Sequence, residues 1–311
     1  MKRLLPFLLF CLLLTGCSLP GKTPEYSQTH FLMDTVCTIR SDSKSAILAG
    51  FSMAREVQDA TDFYDENSTV SAFNRADAGV PVPLDSHTYT IVATALKVSE
   101  ASGGAFDITV APAKALWDFA EGALPPEKSA VAEVLPRIGW EKLLLDTETQ
   151  TLTKREKGVA IDLGGCAKGY AADMAKNAMI EAGAAWGVLD FGGNVVVFGK
   201  NPARKDGGWE IGIQAPNQPA GTYARTVPIE DAGTVVTSGT YQRRFSYNGT
   251  LFHHILDPKT GFPAETESQS ATVTGNSALY ADCLSTACLI LGREKGTALA
   301  DRFYTTVFFT D

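Results

Sequence analysis

The segment Val159–Asn177, VAIDLGGCAKGYAADMAKN, constrains the fold of this chain more than any other stretch. An apolar, strand-like run ends on Asp162 and meets the pair Gly164-Gly165. Lys168 and Gly169 follow, and helical spacing then carries Asp173. A strand-to-helix turn of this composition brings backbone N–H and C=O groups close to whatever occupies it, because no Cβ intervenes. It is not a P-loop, since Lys168 is followed by glycine and not by Ser or Thr, and its glycine spacing is not that of a dinucleotide fingerprint. Lys168 near a helix start can meet a phosphate, and Asp162 can accept from a base or a ribose. The same residues also make an ordinary tight connection with a solvated lysine, so the segment alone leaves function open.

The first residues, MKRLLPFLLFCLLLTGCSLPGK, have the form of an export signal: Lys2 and Arg3, a short apolar run, then small residues. The run is roughly a dozen residues against the ~20 that a spanning helix needs. Leu14-Thr15-Gly16-Cys17 resembles a bacterial lipobox, in which Cys17 becomes the lipidated mature N-terminus. A cleaved secretory signal with Cys17 incidental is the alternative. The expected organisation is a signal peptide over residues 1–16, a lipidated N-terminus and tether over 17–29, and a single domain over 30–311. The expected location is outside the cytoplasm, lipid-anchored to the bacterial cell membrane on its periplasmic or extracytoplasmic face.

A net charge of −8 and the lack of any basic cluster argue against a nucleic-acid partner. Cys37, Cys166, Cys283 and Cys288 have no regular metal-ligand spacing and are expected to be mostly buried small apolar residues, not disulfide partners.

Strand and helix patterns mix irregularly along the chain, which predicts an α+β fold and not a doubly wound sheet. Phe31–Ile39 alternates as one strand, Ser45–Phe63 and Ser86–Ser102 have helical spacing, and Ala105–Phe119 begins extended. Pro125-Pro126-Glu127 reads as a helix start, Leu143–Leu152 as a hairpin, and Trp186–Gly199 as two strands around Gly192-Gly193-Asn194. Further strands are expected near Trp209–Gln214, Val235–Ser238, Arg243–Tyr247 and at the C-terminus, with an apolar helix over Leu279–Leu291.

Two other segments carry candidate chemistry. In ALYADCLSTACLILG, Asp282 and Thr286 are i and i+4 on one helix face. A carboxylate and a hydroxyl among Ala, Leu and Ile need a partner, and hard oxygen ligands suit Mg²⁺; capping a neighbouring loop is the other reading. In FHHILDPKTG, a strand with His253 and His254 runs into an Asp257-Pro258-x-Thr260-Gly261 turn. Adjacent strand residues face opposite ways, so at most one of the two histidines faces a site, where it can act as a general base.

These elements together resemble the ApbE family of FAD:protein FMN transferases. The resemblance runs in order through Met33-Asp34-Thr35, Tyr64–Asn74 (YDENSTVSAFN), Gly104–Val110 (GAFDITV), Asp162–Tyr170 (DLGGCAKGY), Asp190–Asn194 (DFGGN), His254–Gly261 (HILDPKTG) and Ala281–Ala287 (ADCLSTA). It implies an ApbE-like, T-fold-like arrangement of mixed and antiparallel sheets with flanking helices and FAD in a cleft. It implies Mg²⁺ held by Asp282, Thr286 and the Gly165 carbonyl, with Ser285 adjacent. It further implies FAD contacts from Met33, Tyr64, Ala105, Phe106, Asp107, Asp162, Lys168 and the backbone near Leu256. The implied reaction moves FMN from FAD to a threonine of an acceptor flavoprotein subunit or domain, with His254 as base and Asp257 in reserve. An FAD pyrophosphatase giving FMN and AMP, or a non-catalytic FAD-binding lipoprotein, would use the same residues. The chain departs from the family at Asp34, where glycine is usual, and at Cys166, where an aliphatic residue is common.

Overall fold

The computed structural model describes residues 25–219 and 221–311. The expected signal peptide, the Cys17 lipidation site and residues 18–24 of the tether lie outside the described residues.

The centre is a seven-stranded sheet in which every neighbour is antiparallel and the strands follow chain order: β1 (Tyr26–Leu32), β2 (Thr35–Ser41), β3 (Gly187–Phe191), β4 (Asn194–Phe198), β5 (Gly233–Gly239), β6 (Ser270–Gly275) and β7 (Thr306–Thr310). Four longer helices accompany it: α1 (Lys44–Thr61), α2 (Ser86–Ala101), α3 (Ala167–Glu181) and α4 (Ala278–Arg302). α1 presents Ala46, Ile47, Phe51, Ala54 and Val57 at helical spacing to the main core, and Ser43 Oγ caps it by accepting from Ala46 N at 3.2 Å. Ile39, Met179, Leu189, Phe191, Val236, Val273 and Leu284, from the sheet and from α3 and α4, belong to the same core. The hairpin Trp209–Gln214/Tyr223–Ile229 adds a smaller core, joining Trp209 to Trp186 and Val197. The α+β expectation and the antiparallel sheets therefore stand.

Several boundaries need correction. The tether does not extend to Thr29, because Tyr26–Thr29 already pair with Thr38–Ser41. Phe31–Ile39 is not one strand but a tight hairpin, turning at Met33 (φ 52°) and Asp34 (φ 58°). This left-handed pair is the geometry that two-residue hairpins favour, usually with Asn and Gly in the turn. Ala105–Phe119 does not begin as a strand: Asp107 caps the short helical turns Ile108–Val110 and Ala111–Lys114. Val159–Ile161 is not a strand either, for reasons given below. The first helix after Pro125-Pro126 starts at Lys128, with both prolines ahead of it. The Leu279–Leu291 helix continues to Arg302 through a kink at Gly292 (φ 77°). The four expected cysteines are buried and free, as anticipated.

Candidate functional site

Val159–Ile161 looks like a strand because it is apolar and extended, but a side chain replaces the strand partner. Asn74 Nδ2 donates to Ile161 O at 2.9 Å, and Ile161 N donates to Asn74 Oδ1 at 2.8 Å. Buried Lys154 secures both sides of this clamp, donating to Asn74 O at 2.9 Å and to Val159 O at 3.0 Å. The chain is thereby delivered to Asp162. Its N–H donates to Ile108 O at 2.8 Å, its Oδ1 accepts from Gly164 N at 2.9 Å, and its Oδ2 pairs with Lys114 Nζ at 2.7 Å.

After Gly164-Gly165 the chain enters α3, and its third glycine decides how closely α4 approaches. A Cβ on Gly169 would lie 2.2 Å from Ala278 O and 2.8 Å from Asp282 Cβ. Without it, Gly169 N donates to Asp282 Oδ2 at 2.9 Å. Asp173, one turn on, holds the start of α4, with Oδ2 accepting from Ser277 Oγ at 3.0 Å and from Leu279 N at 3.1 Å. The backbone after the glycine pair and the helix of Asp282 are thus locked together.

The Asp282 carboxyl is 4% exposed. Burial raises its pKa, opposed by Lys168, by the Gly169 N–H and by the Asn194 amide. Lys168 Nζ stays 4.0 Å from Asp282 Oδ2 and donates instead to Gly164 O at 3.0 Å. Buried Asn194 Nδ2 has no full hydrogen bond of its own. One turn on along the same helix, three hydroxyls meet: Ser238 Oγ is 2.8 Å from Ser285 Oγ and 2.9 Å from Thr286 Oγ1. Among the described residues no three His, Cys, Asp or Glu side chains cluster at metal-binding spacing. A cation here would meet one carboxylate, hydroxyls and backbone carbonyls, a hard oxygen set that fits Mg²⁺ and does not fit Zn²⁺. The incompletely neutralised buried carboxyl is the observation that favours such an ion.

His253 and His254 separate as strand geometry requires. His253 turns inward, with Nε2 on Ala264 O at 3.1 Å. His254 follows the strand Thr250–His253; its backbone N–H donates to Arg243 O at 3.1 Å, and its Nδ1 is buried without a partner. Burial pushes its imidazole down to about 4, helped by the positive charges of Arg243 and Lys168. Burial and both positive charges favour the neutral imidazole. Asp257 has the turn role: its Oδ1 accepts from Lys259 N at 2.9 Å and its carbonyl from Gly261 N at 2.8 Å. Leu256 is buried and bridges to Pro263.

The remaining expected contacts come from three other segments. Met33 N donates to Gln58 Oε1 at 2.7 Å near the end of α1, and Tyr64 just beyond that end is 86% exposed. Ala105 and Phe106 are buried, and the Phe106 ring lies 3.2 Å from where a Gly165 Cβ would be. The Asp107 carboxylate is committed internally, accepting from Thr109 N and Oγ1 at 2.8 and 2.7 Å and from Trp140 N at 2.8 Å. Only the backbone of that turn is left for a ligand. The structure thus brings Lys168 to Asp282 and carries Ser285 and Thr286 on the helix of Asp282, while His254 stands where the charge of Lys168 is felt. It adds Lys114, Asn194, Ser238 and Arg243, which sequence reasoning missed because their partners are far away along the chain. Arg243 also holds the Asp34 turn, with Nη1 on Asp34 Oδ2 at 2.7 Å and Nη2 on Asp34 O at 2.6 Å.

The chain is similar to known proteins over most of its length. The model of the ApbE family matches residues 33–309. The FAD:protein FMN transferase of Treponema pallidum is 30% identical over 307 residues, covering 93% of this chain and 84% of that protein. The protein of the same name from Vibrio cholerae is 30% identical, covering 97% and 91%. The crystal structure of the ApbE protein from Thermotoga maritima superposes with a TM-score of 0.82 at 29% identity, covering 92% of this chain and 94% of that one. The Pseudomonas stutzeri flavinyl transferase ApbE in its apo form gives 0.79 at 28% identity, covering 94% and 92%.

Proposed function

The chain belongs to the ApbE family, and from that footing we propose that it is an Mg²⁺-dependent transferase that moves FMN from FAD to a threonine hydroxyl of an acceptor flavoprotein, releasing AMP. The observation that carries the reading is the buried Asp282 carboxyl, with Lys168 Nζ 4.0 Å from its Oδ2 and with Ser285 and Thr286 on the same helix.

Asp282, Thr286 and the Gly165 carbonyl, with Ser285 adjacent, would hold Mg²⁺. Bound there, the ion would neutralise charge on the FAD pyrophosphate and orient it. Lys168 supplies a fixed cation beside it, and Asp162, held by Lys114 and Gly164 N, is poised to accept from the dinucleotide. Met33, Tyr64 and the Ala105–Asp107 backbone would flank the flavin. His254 takes the proton from the threonine oxygen as that oxygen bonds to the FMN phosphorus. The bond from that phosphorus to the AMP oxygen breaks, and AMP leaves. A base must be deprotonated before it can act, and burial between two cations keeps His254 so. Asp257 supports the turn that presents His254.

The segment Lys2–Cys17 supports placing this chemistry on a lipid anchor outside the cytoplasm, with a membrane or exported redox protein as acceptor. To test the reaction, the protein is incubated with FAD, Mg²⁺ and a threonine-bearing acceptor domain, and the acceptor is digested and mapped by mass spectrometry. FMN on the threonine peptide supports the proposal. Free FMN and AMP with an unlabelled acceptor would replace it with a pyrophosphatase.

A further inference from the structure

The turn of the β1–β2 hairpin holds two non-glycine residues in the left-handed region, Met33 (φ 52°) and Asp34 (φ 58°). That conformation costs an L-residue free energy, more for Met than for Asp, so contacts outside the turn must hold it. Packing supplies one face only. Leu32 is buried and Thr35 fits against Gly192, whereas the next pair along the ladder, Phe31 and Val36, is 71% and 57% exposed. Polar contacts supply the rest. Met33 N donates to Gln58 Oε1 of α1 at 2.7 Å. Arg243 donates through Nη2 to Asp34 O at 2.6 Å, and its Nη1 pairs with Asp34 Oδ2 at 2.7 Å.

Arg243 has a third contact, and it leads to the candidate site: its own carbonyl accepts from His254 N at 3.1 Å. One residue therefore ties the hairpin turn to the His254 segment. Both ends of the tie lie within electrostatic reach of Lys168. Burial dominates the titration of Cys37, on β2, and of His254, and the charge of Lys168 acts on both. An exposed ion pair alone contributes little, and the Arg243 and Asp34 side chains are 50% and 75% exposed. Here the same guanidinium also takes the Asp34 carbonyl, and a two-point contact fixes direction as well as distance.

We propose that Asp34 and Arg243 are positioning residues for FAD, forming a clasp that fixes the Met33 turn to the His254 segment. The proposal rests on the flavin transferase reading, in which Met33 flanks the flavin and His254 is the base. Glycine, usual at position 34 in the family, adopts the turn freely but brings no carboxylate. Asp34 gives this chain a grip on Arg243 that glycine lacks. The clasp and simple charge predict opposite signs. FAD carries an anionic pyrophosphate, so a carboxylate acting through its charge alone would oppose binding, and its removal would tighten FAD or leave it unchanged. Removal of a clasp weakens FAD.

Asp34→Asn tests this, because Asn tolerates the left-handed region and keeps the carbonyl bond while the ion pair is lost. FAD affinity is measured by flavin fluorescence titration of the purified protein with Mg²⁺ present, alongside kcat and KM for AMP release. In Asp34→Asn, Kd and KM for FAD should both rise about threefold, with kcat within about twofold of wild type. Arg243→Ala, which loses both contacts, should raise them at least about tenfold. The double variant should bind FAD no more weakly than Arg243→Ala alone, because both changes break one contact. Unchanged or tighter FAD binding in Asp34→Asn would overturn the clasp and leave the transferase reading intact. An additive double variant would also overturn it, by placing Arg243 directly on FAD, as would a fall in kcat with KM unchanged. A wild type that binds no FAD overturns the flavin reading of the site, and the clasp with it.

Discussion

Gly169 and Asp282 are 113 positions apart in the chain and joined by a 2.9 Å hydrogen bond from the glycine N–H to Oδ2. The bond requires α3 and α4 to touch backbone to backbone. Gly169→Ala would place a methyl 2.2 Å from Ala278 O, and overpacking of this kind costs about 1–3 kcal/mol. Its thermal melt should fall by several degrees, and its Mg²⁺ requirement should shift upward because the carboxyl moves with α4. An unchanged melt would mean that the two helices are not packed as described.

Asp282 precedes Ser285 and Thr286 by about one turn of the same helix. In Asp282→Asn the shape and the Gly169 bond survive but the charge is lost. FAD cleavage, followed as AMP release across a Mg²⁺ titration, should fall by at least about a hundredfold. Retained Mg²⁺-dependent cleavage would remove Asp282 from the metal site.

The proposed base, His254, predicts a characteristic pH dependence. Its imidazole is held down to about 4, against 6.5 when unperturbed. The base form therefore persists through the weakly acidic range, and the acid limb of kcat/KM should lie nearer pH 4 than 6.5. The unfolded chain binds this proton first, so stability should decline as pH falls from about 6.5 toward 4. His254→Ala should flatten that decline and slow transfer by about 10²–10⁴, with FAD still bound. An acid limb that persists in this variant would assign it to another group.

Asn74 matters for a different reason: its carboxamide satisfies both backbone groups of Ile161. Asn74→Ala leaves a buried N–H and C=O without partners, a loss of about 1–3 kcal/mol each. The melt should drop, and FAD should bind more weakly because Asp162 and the glycine pair lose their anchor. Asn74→Asp, which still accepts but cannot donate, should fall between the two. Equal FAD affinity in all three proteins would limit Asn74 to a purely structural role.

What could be read from sequence was local. Helical spacing located α1 and α2, the Gly192-Gly193 turn located two sheet strands, and Asp282 with Thr286 marked one helix face. The Met33-Asp34 hairpin is not visible in the sequence because Met33, unlike Asp34, is not a usual left-handed turn former; Arg243, more than 200 positions on, holds that turn in place. Val159–Ile161 passed for a strand because its partner is the Asn74 side chain, which no periodicity reveals. Ser238 and Lys114 are ordinary residues in their own segments, and only the sheet and the turn after Asp107 bring them to Thr286 and Asp162.

FMN transfer from FAD to protein is the reaction proposed for Asp282, Lys168 and His254. The most direct measurement follows the intact mass of a threonine-bearing acceptor and AMP release in the same reaction of the purified protein with FAD and Mg²⁺. The account predicts one FMN added per AMP released, and neither product when Mg²⁺ is chelated. AMP accumulating while the acceptor mass stays constant would contradict it.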